Sequence, residues 1–286
     1  MKIVTYNVQH GVGRDGRFDL DRIAEAIREA DVVALQEVTR NFPGNGGVDM
    51  VTGLAERLPD HFHAFGPGMD IDFGMRLKNG KPANRRFQFG NMLLSRWPIT
   101  TVRNLLLPRH RTYDRANFQR AALEGLIETP LGFLRFYCTH LDHASEEERI
   151  AQIHHLKHRV LSFPLEGGAI TGATELGFPE PPCPEDFVLM GDFNMRPGHP
   201  DYEAMTGRPD SVYGARIAAH HPVDTFRLAN GPEQAADTWR DMTDPSRHAR
   251  LDYCFVSAGL AARVTEVRID AQVAGSDHQP VWVTLE

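Results

Sequence analysis

Short apolar runs that carry acidic, amide or imidazole side chains recur from the first residues of this chain to its last. Each run is typical of a buried strand with Asn, Glu, His or Asp at its edge. The runs are TYN at 5–7, LQE at 35–37, THLDH at 139–143, GDFN at 191–194, RLDYCFVS at 250–257 and SDH at 276–278. We therefore expect one composite acidic, histidine-containing site, gathered from the whole length of the chain.

The composition is typical of a globular protein that does not cross a membrane. Of the 286 residues, 41% are hydrophobic and 24% are charged. No apolar run approaches the roughly 18 residues of a transmembrane helix, and the N-terminus lacks the pattern of a signal peptide. The three cysteines lack metal-ligand spacing, and Cys138 and Cys254 lie in apolar runs as small hydrophobic residues. These features predict a cytoplasmic protein.

The net charge of −7 bears on the choice of substrate. Proteins that bind many phosphates of a nucleic acid are normally basic, because Lys and Arg release the condensed counterions. The acidic balance therefore disfavours tight, non-specific binding of a duplex. A bound cation would offset some carboxylates of a catalytic cluster, so the charge favours a small substrate without excluding a nucleic acid.

Strands and helices alternate in the first half of the chain, and strands dominate the second half. Helical spacing follows the first strand and recurs from Val48 to Leu58. Ser145 and Glu148 predict a capping box at the start of the clearest helix, and a hairpin is predicted to turn at 129–132. Two sheets packed face to face, with helices outside, explain this order best, within a single domain over residues 1–286.

Residues 66–86 and 164–185 do not fit this alternation. The first segment is basic and shows little periodicity, and the second is rich in Gly and Pro. Loops this long are uncommon in compact domains unless they bind something or are disordered. For each segment, a binding role and a tolerated surface insertion are both open.

Two groups of oxygen donors have the chemistry of a hydrolytic site. In GDFN, Asp192 and Asn194 lie two residues apart, so both can face one side and orient a water molecule. The alternative there is a strand-ending Asx turn. Glu37, Asn7 and Asp277 offer only oxygen ligands, which favour Mg²⁺ or Mn²⁺ over zinc. The alternative for Glu37 is a carboxylate that reaches solvent past the strand end.

Two of the 14 histidines stand apart from the rest. His140 ends a strand beside Asp142, and His278 follows Asp277 with Asp252 available from a neighbouring strand. A carboxylate that orients a His and stabilises its charged form is a common way to hold a catalytic imidazole. The alternative is that both are packed core residues. A serine nucleophile is disfavoured, because the chain has no G-x-S-x-G elbow.

With TYN, LQE, THLD, GDFN, LDY and SDH in this order, the chain resembles the endonuclease/exonuclease/phosphatase superfamily, the DNase I-like metal-dependent phosphohydrolases. The resemblance runs from Asn7 to His278. It implies an α/β fold of four layers, in which two packed mixed β-sheets are flanked by helices. It also implies a divalent cation, normally Mg²⁺ with Mn²⁺ as an alternative, and cleavage of a phosphoester by an activated water.

The resemblance also implies a role for each matching residue. It assigns metal binding to Glu37, with support from Asn7 and Asp277. Its catalytic residues are Asp192 and Asn194 around the attacking water, His278 with Asp252 on one side of the phosphate, and His140 on the other.

Gln119 departs from the pattern of the nuclease members, in which a Glu ahead of an Arg supports the first His. Here Gln119 precedes Arg120. We expect its neutral amide to hold His140 and to stabilise the charged imidazole less than a carboxylate would. Arg120 is then a structural or a phosphate-facing residue.

The favoured function is hydrolysis of a phosphodiester or phosphomonoester, with a small or lipid-derived substrate preferred. A DNA or RNA endo- or exonuclease, or a phosphodiesterase acting on a protein–DNA adduct, is the alternative. A more remote alternative is a non-catalytic scaffold of the same fold. Activity that is indifferent to EDTA would favour such a scaffold. The sequence leaves the oligomeric state open.

Overall fold

The computed structural model of the protein describes residues 1–231, 236–244 and 246–286. The strands within these residues are β1 (Lys2–Asn7), β2 (Val32–Arg40), β3 (Phe62–Asp72), β4 (Met75–Arg76), β5 (Pro82–Ala83), β6 (Arg86–Ser95), β7 (Ile99–Leu106), β8 (Ala121–Thr129), β9 (Gly132–His140), β10 (Phe187–Asp192), β11 (Val223–Asp224), β12 (Trp239–Arg240), β13 (His248–Ala249), β14 (Asp252–Val256), β15 (Val264–Ile269) and β16 (Val281–Leu285). The helices are α1 (Leu20–Ile27), α2 (Met50–Arg57), α3 (Glu146–Leu161), α4 (Phe163–Glu166), α5 (Pro200–Thr206) and α6 (Thr225–Asn230).

Two mixed sheets of six strands each form the centre of the protein. Their strand orders are β15-β16-β1-β2-β6-β3 and β11-β14-β10-β9-β8-β7. In the first sheet β1 and β2 run parallel, and in the second β9 and β10 run parallel. Every other neighbour within the two sheets pairs antiparallel. The predicted pair of mixed sheets is confirmed.

The main core lies between the two sheets. Ile3 of the first sheet and Val188 of the second belong to it, as do Cys138 and Cys254, which are buried free thiols. Because side chains alternate along a strand, Val4 faces the other way, toward the helices outside the first sheet. Strands that are buried on both faces need continuous apolar runs, which explains the unbroken hydrophobic stretches of the sequence.

Helices cover the outer face of each sheet and complete the four layers. Those outside the first sheet are α1 and α2, and those outside the second include α3 and α5. Ser145 caps α3 by accepting a hydrogen bond from the backbone N–H of Glu148. The other contact of the predicted capping box, from the Ser145 backbone N–H to the Glu148 carboxylate, is wrong. The Glu148 carboxylate accepts from the backbone N–H of His110 and from the Asn117 amide instead, while Asp142 binds the Ser145 N–H.

The two segments that do not fit the alternation of strands and helices in the sequence have different structures. Residues 66–86 form the outer part of a long hairpin, built from β3, β4, β5 and β6, rather than an irregular loop. Residues 164–185 contain the end of α4 and a largely irregular surface stretch. No helix of the described residues is long and apolar enough to cross a membrane.

Strand direction brings the polar strand ends to one edge of the two sheets. The parallel pairs β1–β2 and β9–β10 end at this edge. The strands β14 and β16 begin there, because they pair antiparallel with β10 and β1. The edge therefore collects Asn7, His140 and Asp192 from strand ends and Asp252 from a strand start. Glu37 comes from a register shift within β2, and His278 from the residues just before β16.

Gly191 lies where the backbones of β9 and β10 approach each other closely. It has a φ of 152°, and a Cβ there would overlap the Thr139 carbonyl oxygen. We expect Gly191→Ala to lower the free energy of unfolding by about 3 kcal/mol or more, measured by urea denaturation. Gly198→Ala is the matched control, since its φ is 81° but the space around it is open. Equal losses for the two variants would contradict a steric role for Gly191.

Candidate active site

The polar side chains at the sheet edge form one connected group. Each residue that the sequence predicted for the site lies within 4.0 Å of another predicted residue. Asn7, Glu37 and Asp277 come from the first sheet and its flanking loops, whereas His140, Asp192, Asn194 and Asp252 come from the second. The site therefore joins the two sheets, and neither sheet contains it alone.

A β-bulge aims Glu37 into the site. The register between β2 and β6 shifts between Leu35 and Val38, and Glu37 has a φ of 61°. Bulges re-aim side chains, and a left-handed backbone at a non-glycine residue costs on the order of 1–3 kcal/mol. The Glu37 carboxylate lies 3.2 Å from Asn7 Nδ2 and 3.2 Å from His10 Nε2.

His10 and Trp239 belong to the site but were not predicted. His10 also has a positive φ, 55°, and its only signal in the sequence is its place three residues after Asn7. The Trp239 indole N–H donates to Asp277 Oδ2 at 3.1 Å. Nothing in the local sequence of Trp239 indicates this contact, because the partner lies in a loop 38 residues further along the chain.

Asn7 links the carboxylates of the two sheets. Its amide nitrogen donates to Glu37 at 3.2 Å and to Asp192 at 3.0 Å, and its amide oxygen accepts from the Gln9 backbone at 3.0 Å. In this arrangement the nitrogen of Asn7, and not the expected oxygen, faces the site. Binding of a cation by Asn7 Oδ1 requires the amide to turn over.

Glu37 and Asp277 have the chemistry that a divalent cation needs. Burial raises the pKa of Asp277, the His278 charge opposes this, and the Glu37 carboxylate raises the pKa again. Among the described side chains, no Lys or Arg lies within 4 Å of either carboxylate. Two converging carboxylates with excess negative charge and only oxygen donors fit Mg²⁺ or Mn²⁺.

His278 is held by Asp252, as the sequence predicted it should be. Its Nδ1 lies 2.8 Å from Asp252 Oδ2, and its Nε2 lies 3.8 Å from Asp192 Oδ2. Burial alone would lower the pKa of His278, but the Asp252 and Asp192 carboxylates outweigh it and raise the pKa to about 10. His278 therefore carries a proton at neutral pH.

Asp192 lies at the centre of the site. Burial raises the pKa of its carboxyl group to about 7, and repulsion from Asp252, its direct partner across the β10–β14 ladder, adds to the shift. The backbone N–H of Asn194 donates to Asp192 at 2.9 Å, while the Asn194 side chain donates to the Leu141 carbonyl oxygen at 3.1 Å. A carboxylate with a pKa near neutrality is suited to exchange protons with water.

His140 differs from His278 in its charge. Burial lowers the pKa of His140 well below its ordinary value, and the nearby Arg120 guanidinium lowers it further. The expectation that Gln119 holds His140 is wrong, because the Gln119 amide donates to the carbonyl oxygens of Leu107 and Arg120. The charged neighbours of His140 are instead Asp192, at 3.5 Å, and Glu37, at 3.9 Å.

Arg120 is buried beside His140, with 4% of its surface exposed. Its guanidinium lies 5.9 Å from the ring centroids of both Phe89 and Phe118, and Nη2 lies 3.2 Å from His143 Nδ1. Its Nε and Nη1 have no partner among the described protein atoms. These contacts fix the guanidinium next to the site and leave two of its nitrogens available.

A second set of side chains is also close enough to hold a cation. Ligand atoms of Asp192, Asp252 and His278 lie within 4.8 Å of one another. In this set, however, the protonated His278 already compensates the two carboxylates. Glu37 and Asp277 have no Lys or Arg within 4 Å among the described residues, and the pKa of Asp277 is raised although the charge of His278 opposes this, so they are the better candidates for metal binding.

The family model described as the endonuclease/exonuclease/phosphatase family matches residues 4–278. No curated protein matches the sequence.

Solved structures resemble the fold over the whole chain. An endonuclease/exonuclease/phosphatase from Bacteroides vulgatus is 19% identical, with a TM-score of 0.66 over 100% of this chain and 98% of that one. The mannosyl-6-phosphatase Bt3783 of Bacteroides thetaiotaomicron is 17% identical, with a TM-score of 0.64 over 100% and 99%. D. rerio TDP2, complexed with single strand DNA product, is 18% identical, with a TM-score of 0.62 over 100% and 98%.

The charge of His278 should depend on Asp252. We expect Asp252→Asn to lower the pKa of His278, because the carboxylate that stabilises the charged imidazole is lost. The ¹⁵N chemical shifts of the imidazole, followed by NMR over pH in EDTA, measure this directly. Asp237→Asn is the control, since Asp237 pairs with His248 instead. A His278 pKa that stays unchanged in Asp252→Asn would contradict the assignment.

Proposed function

The chain belongs to the endonuclease/exonuclease/phosphatase family, and from this we propose that it hydrolyses phosphoesters with the help of a divalent cation. The observation that carries the proposal is the pairing of two half-sites. Glu37 and Asp277 form an oxygen-donor pair with no Lys or Arg within 4 Å in the described part of the chain, and Asp192 lies beside the charged His278–Asp252 pair. Cation and proton chemistry can thus act on one phosphate.

Glu37 and Asp277 are the proposed ligands of the cation, with Asn7 joining them after its amide turns over. The cation is proposed to be Mg²⁺, with Mn²⁺ as the alternative. When bound, such an ion neutralises charge on phosphoryl oxygens and lowers the pKa of water.

The remaining residues handle protons and hold the phosphate. Asp192, with a pKa of about 7, accepts the proton of the attacking water, and Asn194 keeps its carboxylate in place. His278 bears a positive charge toward the phosphate and can donate a proton, while Asp252 fixes its orientation. His140 is neutral and approaches the phosphate from the opposite side. Because His140 is neutral and His278 is positively charged, the two histidines are suited to distinct roles.

A small or lipid-derived phosphoester is the proposed substrate. The net charge of −7 supports it over a long nucleic acid. A nuclease or a protein–DNA adduct phosphodiesterase is the alternative, and structurally similar proteins include both a mannosyl-6-phosphatase and TDP2. A non-catalytic scaffold is disfavoured because every expected site residue is present. The single domain over residues 1–286 and the cytoplasmic location remain predictions.

Removing the proposed metal carboxylate tests the function. We expect Glu37→Gln to abolish most hydrolysis of bis-(p-nitrophenyl) phosphate and to remove the rise in Tm that Mg²⁺ or Mn²⁺ gives the parent protein. Unfolding in EDTA should be little changed, because Glu37 lies at the sheet edge. Glu25→Gln, at an exposed carboxylate, is the control. Full activity of Glu37→Gln in EDTA-treated buffer would end the proposal.

Removing the proposed acid tests the second half-site. We expect His278→Ala to lower kcat by about 10² to 10⁴, the usual contribution of a positioned acid or base, while the metal-dependent rise in Tm persists. Its control is His248→Ala, since His248 is exposed and pairs with Asp237. Normal turnover by His278→Ala would show that another group moves the proton.

A further inference from the structure

Beyond a register shift between Pro67 and Met69, the hairpin over residues 62–95 keeps one register from Met69 to its tip. Met69 pairs with Phe89 and Ile71 with Phe87, and beyond them Met75 pairs with Ala83. The backbone bonds from Phe73 to Arg85 and from Leu77 to Lys81 continue the same alignment. Paired residues share a face and side chains alternate along each strand, so this ribbon has two distinct faces.

One face of the hairpin is polar, and its side chains bind each other. The Arg86 guanidinium donates to the Asp70 carboxylate at 2.8 Å and lies 4.0 Å from Asp72. The Gln88 amide also donates to Asp70, at 3.1 Å. The two carboxylates of this face are therefore already paired with Arg86.

The opposite face is apolar and exposed. Ile71 is 43% exposed, Phe73 36%, Met75 59% and Leu77 45%. These are large hydrophobic side chains at consecutive positions of one face. Contiguous exposed apolar surface of this kind marks an interaction site.

This apolar face runs into the candidate active site. The ring of Phe73 lies 5.5 Å from that of Phe87, Phe87 stacks on Phe42 at 5.3 Å, and Phe42 lies 4.8 Å from the His10 ring. His10 in turn contacts Glu37. A partner seated on the hairpin would therefore be next to the proposed metal ligands.

The outer hairpin is also basic, although the protein as a whole is acidic. Residues 73–85 contain Arg76, Lys78, Lys81 and Arg85 but no Asp or Glu. None of the four cations lies within 4 Å of a carboxylate in the described part of the chain. Lys81 and Arg85 lie on the apolar face itself, paired with Leu77 and Phe73. The partner of this face should be both apolar and anionic.

We propose that the apolar face of this hairpin docks on an anionic lipid surface and presents a phosphoester of that surface to the active site. The inference rests on the proposed function and narrows its substrate to a lipid-borne phosphoester. Apolar side chains that enter the interface, with cations that meet anionic headgroups, give reversible binding of this type.

Other partners fit this face less well. Phe73 is the one ring among the four exposed apolar side chains of this face, whereas a single strand stacks its successive bases on several rings. A second copy of the chain would bring its own Lys81 and Arg85 against these two, and like charges across an interface are unfavourable. An anionic lipid surface satisfies both the apolar and the basic side chains.

Vesicle co-sedimentation tests the proposal directly. We expect the protein to bind vesicles of equimolar phosphatidylcholine and phosphatidylglycerol, and to bind phosphatidylcholine alone much more weakly. Leu77→Ser and Met75→Ser should each weaken binding roughly tenfold, and Lys81→Ser about fivefold. The matched control is Leu176→Ser, at a leucine that is 67% exposed outside the hairpin, and it should bind like the parent protein.

Parallel hydrolysis of soluble bis-(p-nitrophenyl) phosphate separates the two proposals. Leu77→Ser should hydrolyse it normally, because Leu77 is outside the catalytic group. Hydrolysis by the parent protein without binding to anionic vesicles would overturn lipid docking and leave the proposed function intact. Vesicle binding without hydrolysis would overturn the proposed function and leave lipid docking intact. Vesicle binding unaffected by Leu77→Ser, or binding of a single-stranded oligonucleotide in its place, would also overturn the docking proposal.

Discussion

Four carboxylates converge where the two sheets meet, and the cost of burying their charge governs the rest of the site. A buried carboxylate without compensation costs several kcal/mol. His278 provides the compensation for Asp252 and Asp192, which is why it keeps its proton well above neutral pH. Glu37 and Asp277 have no Lys or Arg within 4 Å among the described residues, and the pKa of Asp277 is raised although the charge of His278 opposes this. The same arrangement thus divides the site into a half suited to proton transfer and a half suited to a cation.

The surrounding fold holds this arrangement against its tendency to relax. Gln9, His10, Glu37 and Asn194 all have positive φ although none is glycine, and all lie at the site. Strained residues persist where the neighbouring structure over-determines them, and here two packed sheets do so. Asn7 adds a direct link, because its amide bonds carboxylates of both sheets. The site and the packing of the sheets are therefore one structural unit.

The long hairpin adds to this unit a surface that the rest of the fold does not require. On its polar face Asp70 and Asp72 are already paired with Arg86, whereas its apolar face continues from the site to the tip. Its basic tip stands against a net charge of −7 for the chain. Net charge alone therefore describes the surface near the site poorly. The local distribution of charge decides which ligands can approach, because screening confines electrostatic effects to about 10 Å.

The sequence by itself predicted most of the buried strands, the main helices and the residues of the candidate site, since buried strands need continuous apolar runs and polar residues at their ends stand out against them. It also indicated that Asp252 would hold His278. Only the tertiary structure decided that His140 is neutral, that Gln119 turns away from it, and that His10 and Trp239 join the site. It also decided that residues 66–86 are a two-faced hairpin. The reason is physical: a pKa, a bulge or an exposed face depends on groups that are distant in the chain and become neighbours only when the sheets pack.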